Sequence, residues 1–198
     1  MRRVVEVGEG FYNIRGSFKI AGILNVGTHM SLVRLSSGKF VLLDSIAPDA
    51  EVRAFLDDKT RGGDDLEAIL NLHPFHTVYV RRLHEAYPNA KLYGTSRHHE
   101  RLRELPWEPL RTEDPALHEQ FAGDLAFSVP RGVELVPENE NLHFSSVLAF
   151  HAASRTLHVD DTLNYVRLPA FLRRFDFLRF HWHHNYWRFD FDIDEAGN

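Results

Sequence analysis

Asn71-Leu72-His73-Pro74-Phe75-His76 is the stretch on which the fold of this chain turns. It ends an apolar run, Leu66-Glu67-Ala68-Ile69-Leu70, that starts just after Gly62-Gly63 and reads as a buried strand. Downstream, Val78 to Tyr87 carries Val80, Leu83 and Tyr87 at helical spacing and stops at Pro88-Asn89. Ala90-Lys91-Leu92-Tyr93-Gly94 then reads as another strand. Strand, helix, strand in this order predicts a βαβ unit with a crossover. The two histidines therefore stand at the C-terminal end of a strand, where open α/β sheets place their sites. Three residues apart across a turn, both rings can face one ion, although an isolated pair reads more readily as surface or capping histidines.

Working outward, the N-terminal region reads as short strands at Phe11–Ile14, Ser31–Leu35 and Phe40–Leu43, with Ser36-Ser37-Gly38-Lys39 turning the last two into a hairpin. Asp44 closes that hairpin, either as a site carboxylate or as a hydrogen-bonded turn residue. Ala50 to Leu56 repeats Val52, Phe55 and Leu56 at helical spacing. From Trp107 to Gly123 the chain is polar and irregular, with at most a short helix. Strands return at Leu125–Val129, Val133–Val136, Ser146–Phe150 and Thr156–Val159, and Pro169–Phe180 reads as a last helix before a tail dense in aromatics.

Composition sets the class. A chain of 198 residues, 43% apolar and 26% charged, is long enough for a real core and short for two domains, so residues 1–198 read as a single soluble domain. With no cysteine, any metal must bind through His, Asp or Glu. The formal charge of −5 argues against a nucleic-acid surface. No stretch approaches the roughly 18 apolar residues of a membrane span. Met1-Arg2-Arg3 meets Glu6 and Glu9 before an apolar run of signal length develops, so the expected location is cytoplasmic. Thirteen histidines are a surplus, and imidazole is the commonest metal ligand.

Two more clusters could join His73 and His76. His143 precedes the strand from Ser146, and Asp160-Asp161-Thr162 follows Thr156–Val159, with Asp161 the better candidate. At this point the sequence resembles the metallo-β-lactamase superfamily, whose His-x-His-x-Asp-His signature sits at a strand-to-helix junction. The junction here reads Asn71-x-His73-x-Phe75-His76, and Arg155 to Leu163 is similar to the strand that ends in the bridging Asp. Met30 to Asp44 is similar to the family's hairpin ending in Leu-Ile-Asp. Covering roughly residues 5 to 165, the resemblance implies an α/β (α+β sandwich) fold of four layers, αββα, either complete or truncated at the C-terminus.

It also implies a degenerate signature. Asn71 stands at the first His position and Phe75 at the Asp position, and phenylalanine can neither ligate a cation nor orient a water. What the resemblance leaves is an altered, mononuclear site of His73, His76, His143 and Asp161, with His181 or His183 as a further ligand and Asp161 also orienting the attacking water. That set suits Zn²⁺, Fe²⁺ or Mn²⁺, zinc foremost. Two functions follow: a metal-dependent hydrolase of a small-molecule substrate, or a non-catalytic protein that keeps the fold for ligand binding or assembly. If His73 and His143 are ligands, ion binding should weaken as pH falls through about 6.

The remaining histidines read as structural. His98 and His99 fit a solvated helix start, His84 lies within a helix, His118 has no supporting partners for a ligand role, and His151 and His158 fall on strands as half-buried rings with one hydrogen bond each. Trp182, Tyr186, Trp187, Phe189 and Phe191 could form a homo-oligomer contact.

Overall fold

At Gly38 the backbone takes φ 84°, a left-handed conformation open to glycine, and Leu35 N donates to Lys39 O at 2.8 Å, so the chain reverses where the sequence places a turn. The computed structural model describes residues 3–17, 27–139 and 145–162, with the backbone of 19–20 and 24–25. Its strands are β1 (Val4–Gly8), β2 (Phe11–Gly16), β3 (Lys19–Ile20), β4 (Leu24–Asn25), β5 (Thr28–Arg34), β6 (Phe40–Leu43), β7 (Leu66–Leu70), β8 (Lys91–Tyr93), β9 (Leu125–Ser128), β10 (Leu148–His151) and β11 (Thr156–His158). The helices are α1 (Ala50–Thr60), α2 (Val80–Ala86), α3 (Ser96–Arg101) and α4 (Pro115–Phe121).

A six-stranded sheet runs β1-β2-β5-β6-β7-β8, and a three-stranded sheet runs β11-β10-β9. β5 and β6 form the expected antiparallel hairpin, whereas β6, β7 and β8 are parallel, as two βαβ crossovers through α1 and α2 require. Their C-terminal ends therefore share one edge of the sheet.

Every residue of β6 is buried because both faces of this central strand are covered. Phe40 and Leu42 pack with Ile69, with Val52 and Leu56 of α1, and with Val80 and Leu83 of α2. Val41 and Leu43 face the other way, into a second core shared with Ala68 and Leu70 of β7, with Val147, and with Leu125 and Ala149 of the smaller sheet. Alternate residues thus feed two cores, one between helices and sheet and one between the sheets. Asp49 caps α1 by accepting from Val52 N at 3.1 Å. α4 closes the side of the sandwich, with Phe121 against Tyr93 of β8 and Phe127 of β9.

No strand forms at Val133–Val136, where the chain bends instead. Pro130 and Pro137 bracket the run, and Gly132 takes φ 77°, so two valines around Glu134 cannot extend into a ladder. By contact the chain divides into units at residues 1–163 and 164–198. The helix expected at Pro169–Phe180, the aromatic tail with its oligomer contact, His143, His181 and His183 lie outside the described residues. Among the described residues no helix is long and apolar enough to cross a membrane.

Candidate metal centre

β6 is followed by Asp44, whose backbone turns left-handed at φ 61°. The Asp44 carboxylate is buried: Oδ1 accepts from Leu72 N at 2.7 Å and His73 N at 3.1 Å, and Oδ2 takes a 2.9 Å bond from His158 Nε2. The loop after β7 is thus held from below. Asn71 is held as well: its amide donates to Tyr93 O at 2.9 Å and accepts from Ser45 Oγ at 2.6 Å, while Thr112 Oγ1 donates to its carbonyl at 3.0 Å. At the first position of the signature, this side chain is consumed by the scaffold. The turn that follows, with His76 N donating to His73 O at 3.1 Å, stacks the His73 and His76 rings at 4.0 Å between centroids.

The carboxylates arrive from the other sheet. Beyond β11, Ser146 Oγ donates to Asp160 O at 2.8 Å and Ser146 N donates to Thr162 Oγ1 at 3.0 Å, fixing a turn in which Asp161 takes φ 49°. Asp161 Oδ2 lies 3.5 Å from His73 Nε2 and 3.2 Å from His76 Nε2, and Asp160 Oδ2 lies 2.5 Å from His76 Nδ1. One ligand atom from each of His73, His76 and Asp161 falls within 4.8 Å of the others.

These separations can be tested against an ion. Donor atoms about 2.0–2.1 Å from a tetrahedral ion stand about 3.3 Å from one another, and the 3.2 and 3.5 Å separations bracket that value. His73 Nε2 is buried without a hydrogen-bond partner among the described residues, as a ligating atom would be. Ligation through it moves the ring proton to Nδ1 and gives up a 3.3 Å bond from Phe75 N, at a cost of about 1 kcal/mol. Asp160 against His76 Nδ1 is the carboxylate that orients a metal-binding imidazole. The residues present fit a divalent cation.

Electrostatics divide the pair. Burial, aided by repulsion from His76, pushes His73 down to about 4 and keeps it neutral, the ligating form. Burial also opposes charge on His76, but hydrogen bonding to Asp160 and Asp161 outweighs it and raises the ring to about 10. Asp44 lies far below the usual carboxylate range because the bonds from His158 and the loop outweigh the cost of its burial.

Phe75, where the resemblance would set a carboxylate, carries an apolar ring, and the Arg97 guanidinium lies 4.1 Å from its centroid. His98 departs from expectation. It does start a helix, but it is fully buried, Thr95 N donating to its Nδ1 at 3.2 Å in a capping box. Burial pushes it down to about 3. His99 stacks on Trp107 at 5.0 Å. His118 bonds Thr112 O at 2.9 Å and stacks on Phe127. His151 bonds Ser154 Oγ at 2.8 Å, and His158 is buried with two partners, Ser31 and Asp44, rather than one. Sequence reasoning passed over Asp160 in favour of its neighbour and left Asp44 open. The signal for both was the same, an acid placed after an apolar strand. His158 had no local signal, because its partners are 127 and 114 residues away.

No family model matches the sequence, and no curated protein does. Solved structures do match the fold. DIM-1 metallo-β-lactamase exposed to ceftazidime is 17% identical with a TM-score of 0.54, over 78% of this chain and 67% of that one. TMB-1 is 15% identical with a TM-score of 0.59, over 83% and 72%. A fragment of a diflavin flavoprotein from Nostoc is 16% identical with a TM-score of 0.52, over 79% of this chain and 64% of that one, so the chain spans just under two thirds of its length. The chain has the metallo-β-lactamase fold, and its His-His-Asp group is suited to a divalent metal.

Proposed function

We propose that this protein is a metal-dependent hydrolase with an altered, mononuclear site, in which His73, His76 and Asp161 hold one divalent ion and His143 completes the set. The convergence of His73 Nε2, His76 Nε2 and Asp161 Oδ2 carries the reading. Zn²⁺ suits two imidazoles and a carboxylate best, with Fe²⁺ and Mn²⁺ next. A bound ion of this kind supplies Lewis acidity and lowers the pKa of water toward about 7. Asp161, half-exposed, orients the water and accepts its proton at the carboxylate. Asp160 keeps His76 Nε2 aimed at the same point, and Asp44 fixes the loop that bears His73. The substrate is a small ester, amide or phosphoester.

The second reading, a non-catalytic protein that keeps the fold for ligand binding or assembly, draws on Asn71 and Phe75: one is absorbed by the scaffold and the other carries no donor. Metal analysis after purification without chelator separates the two. Stoichiometric ion with EDTA-sensitive hydrolysis of model esters or phosphoesters supports the enzyme. Under about 0.2 ion per chain, with no uptake on dialysis against Zn²⁺, Fe²⁺ or Mn²⁺, rejects the metal site. Full occupancy with no hydrolysis favours the second reading.

A further inference from the structure

The two halves of the ion site come from different sheets. His73 and His76 follow β7 of the larger one, and Asp160 and Asp161 follow β11 of the smaller. Three buried polar side chains span the junction: Ser31 of β5, Asp44 after β6 and His158 of β11. Asp44 Oδ1 holds the backbone N–H groups of Leu72 and His73. Its Oδ2 holds His158, three residues before Asp161.

Asp44 Oδ1 already accepts two backbone N–H groups, and its Oδ2 faces His158 Nε2 at 2.9 Å, so that nitrogen donates to the carboxylate, while Nδ1 shares a 2.9 Å hydrogen bond with Ser31 Oγ. Both nitrogens of His158 are satisfied, and the ring cannot rotate without breaking both bonds. His29 packs edge-on against the same ring at 5.1 Å. Filling the space between two sheets needs only apolar side chains. A satisfied polar chain in that space fixes a distance and a direction, which apolar contacts do not.

We infer that Ser31, His158 and Asp44 form a positioning chain that sets the His73 loop of one sheet against the Asp160–Asp161 turn of the other, and so determines ion affinity without touching the ion. This rests on the ion-site reading above. Outer partners of this kind alter metal affinity by about tenfold to a hundredfold.

The test measures Zn²⁺ affinity by competition with a chromophoric chelator and the visible spectrum of the Co²⁺-loaded protein, each beside the urea midpoint of the chelated form. His158→Ala should weaken Zn²⁺ binding about tenfold to a hundredfold and shift the Co²⁺ bands. His158→Gln should recover most of both, because its amide nitrogen can donate to Asp44 while its amide oxygen accepts from Ser31. Asp44→Asn covers the case in which His158→Ala does not fold. It is isosteric but presents an N–H to the His158 N–H, and it should weaken Zn²⁺ binding by a similar factor. If wild-type protein takes up neither Zn²⁺ nor Co²⁺, the ion-site reading and this inference fall together. If wild type binds and the variants lose only urea stability, with affinity and Co²⁺ spectrum unchanged, the positioning role alone is overturned.

Discussion

Loading the site with a divalent ion should release one proton per ion, and that proton comes from His76. A ligating imidazole must be unprotonated. His73, at about 4, is already neutral near pH 7, whereas His76, at about 10, is almost wholly protonated through its contacts with Asp160 and Asp161. Between about pH 7 and about pH 10 each unit of pH therefore changes apparent affinity about tenfold, a rise of several hundredfold over that span. Ordinary imidazoles would put the window near 6, and the paired carboxylates move it upward. Calorimetry of Zn²⁺ binding in buffers of different ionisation enthalpy counts the proton, and chelator competition across pH measures the slope. Zero proton release at neutral pH, or apparent affinity flat between about pH 7 and about pH 9, would refute the assignment of His76 as a ligand held by two acids.

Three further outcomes are expected. In chelated protein, stability should peak near about pH 6.5. His73 and His98 have lowered folded pKa values, so their contribution is lost as pH falls from about 6.5 toward about 4 and about 3, whereas the raised His76 contributes fully below about 6.5 and loses its contribution as pH rises through about 10. Urea unfolding across pH tests this, and a profile flat between about pH 5 and about pH 8 would contradict it. Gly94→Ala should destabilise by about 1–3 kcal/mol, since its Cβ would stand 2.7 Å from His98 Cβ and from the Trp107 ring; an unchanged urea midpoint would count against that packing. His76→Ala should lower ion occupancy while His118→Ala leaves it intact, because His118 is spent on Thr112 and Phe127. Equal losses in both would remove the distinction between ligand and scaffold.

Local pattern alone determined the β5–β6 hairpin, the β7–α2–β8 crossover and the strand ends that carry His73 and Asp161, because alternation, helical spacing and turn residues act over a few positions. The same local signals overreached at Val133–Val136, where flanking prolines outweigh two valines. Tertiary structure decided which polar residues lose water. His98 reads as a solvated helix start and is buried under Trp107; His158 reads as a half-buried strand residue and joins two sheets. It also decided protonation. Nothing in the spacing of His73 and His76 says that one ring is pushed down and its neighbour up, since that depends on Asp160 and Asp161 arriving from more than eighty residues along the chain. Burial and charge pairing are properties of what surrounds a side chain in space, and those surroundings exist only once the two sheets have met.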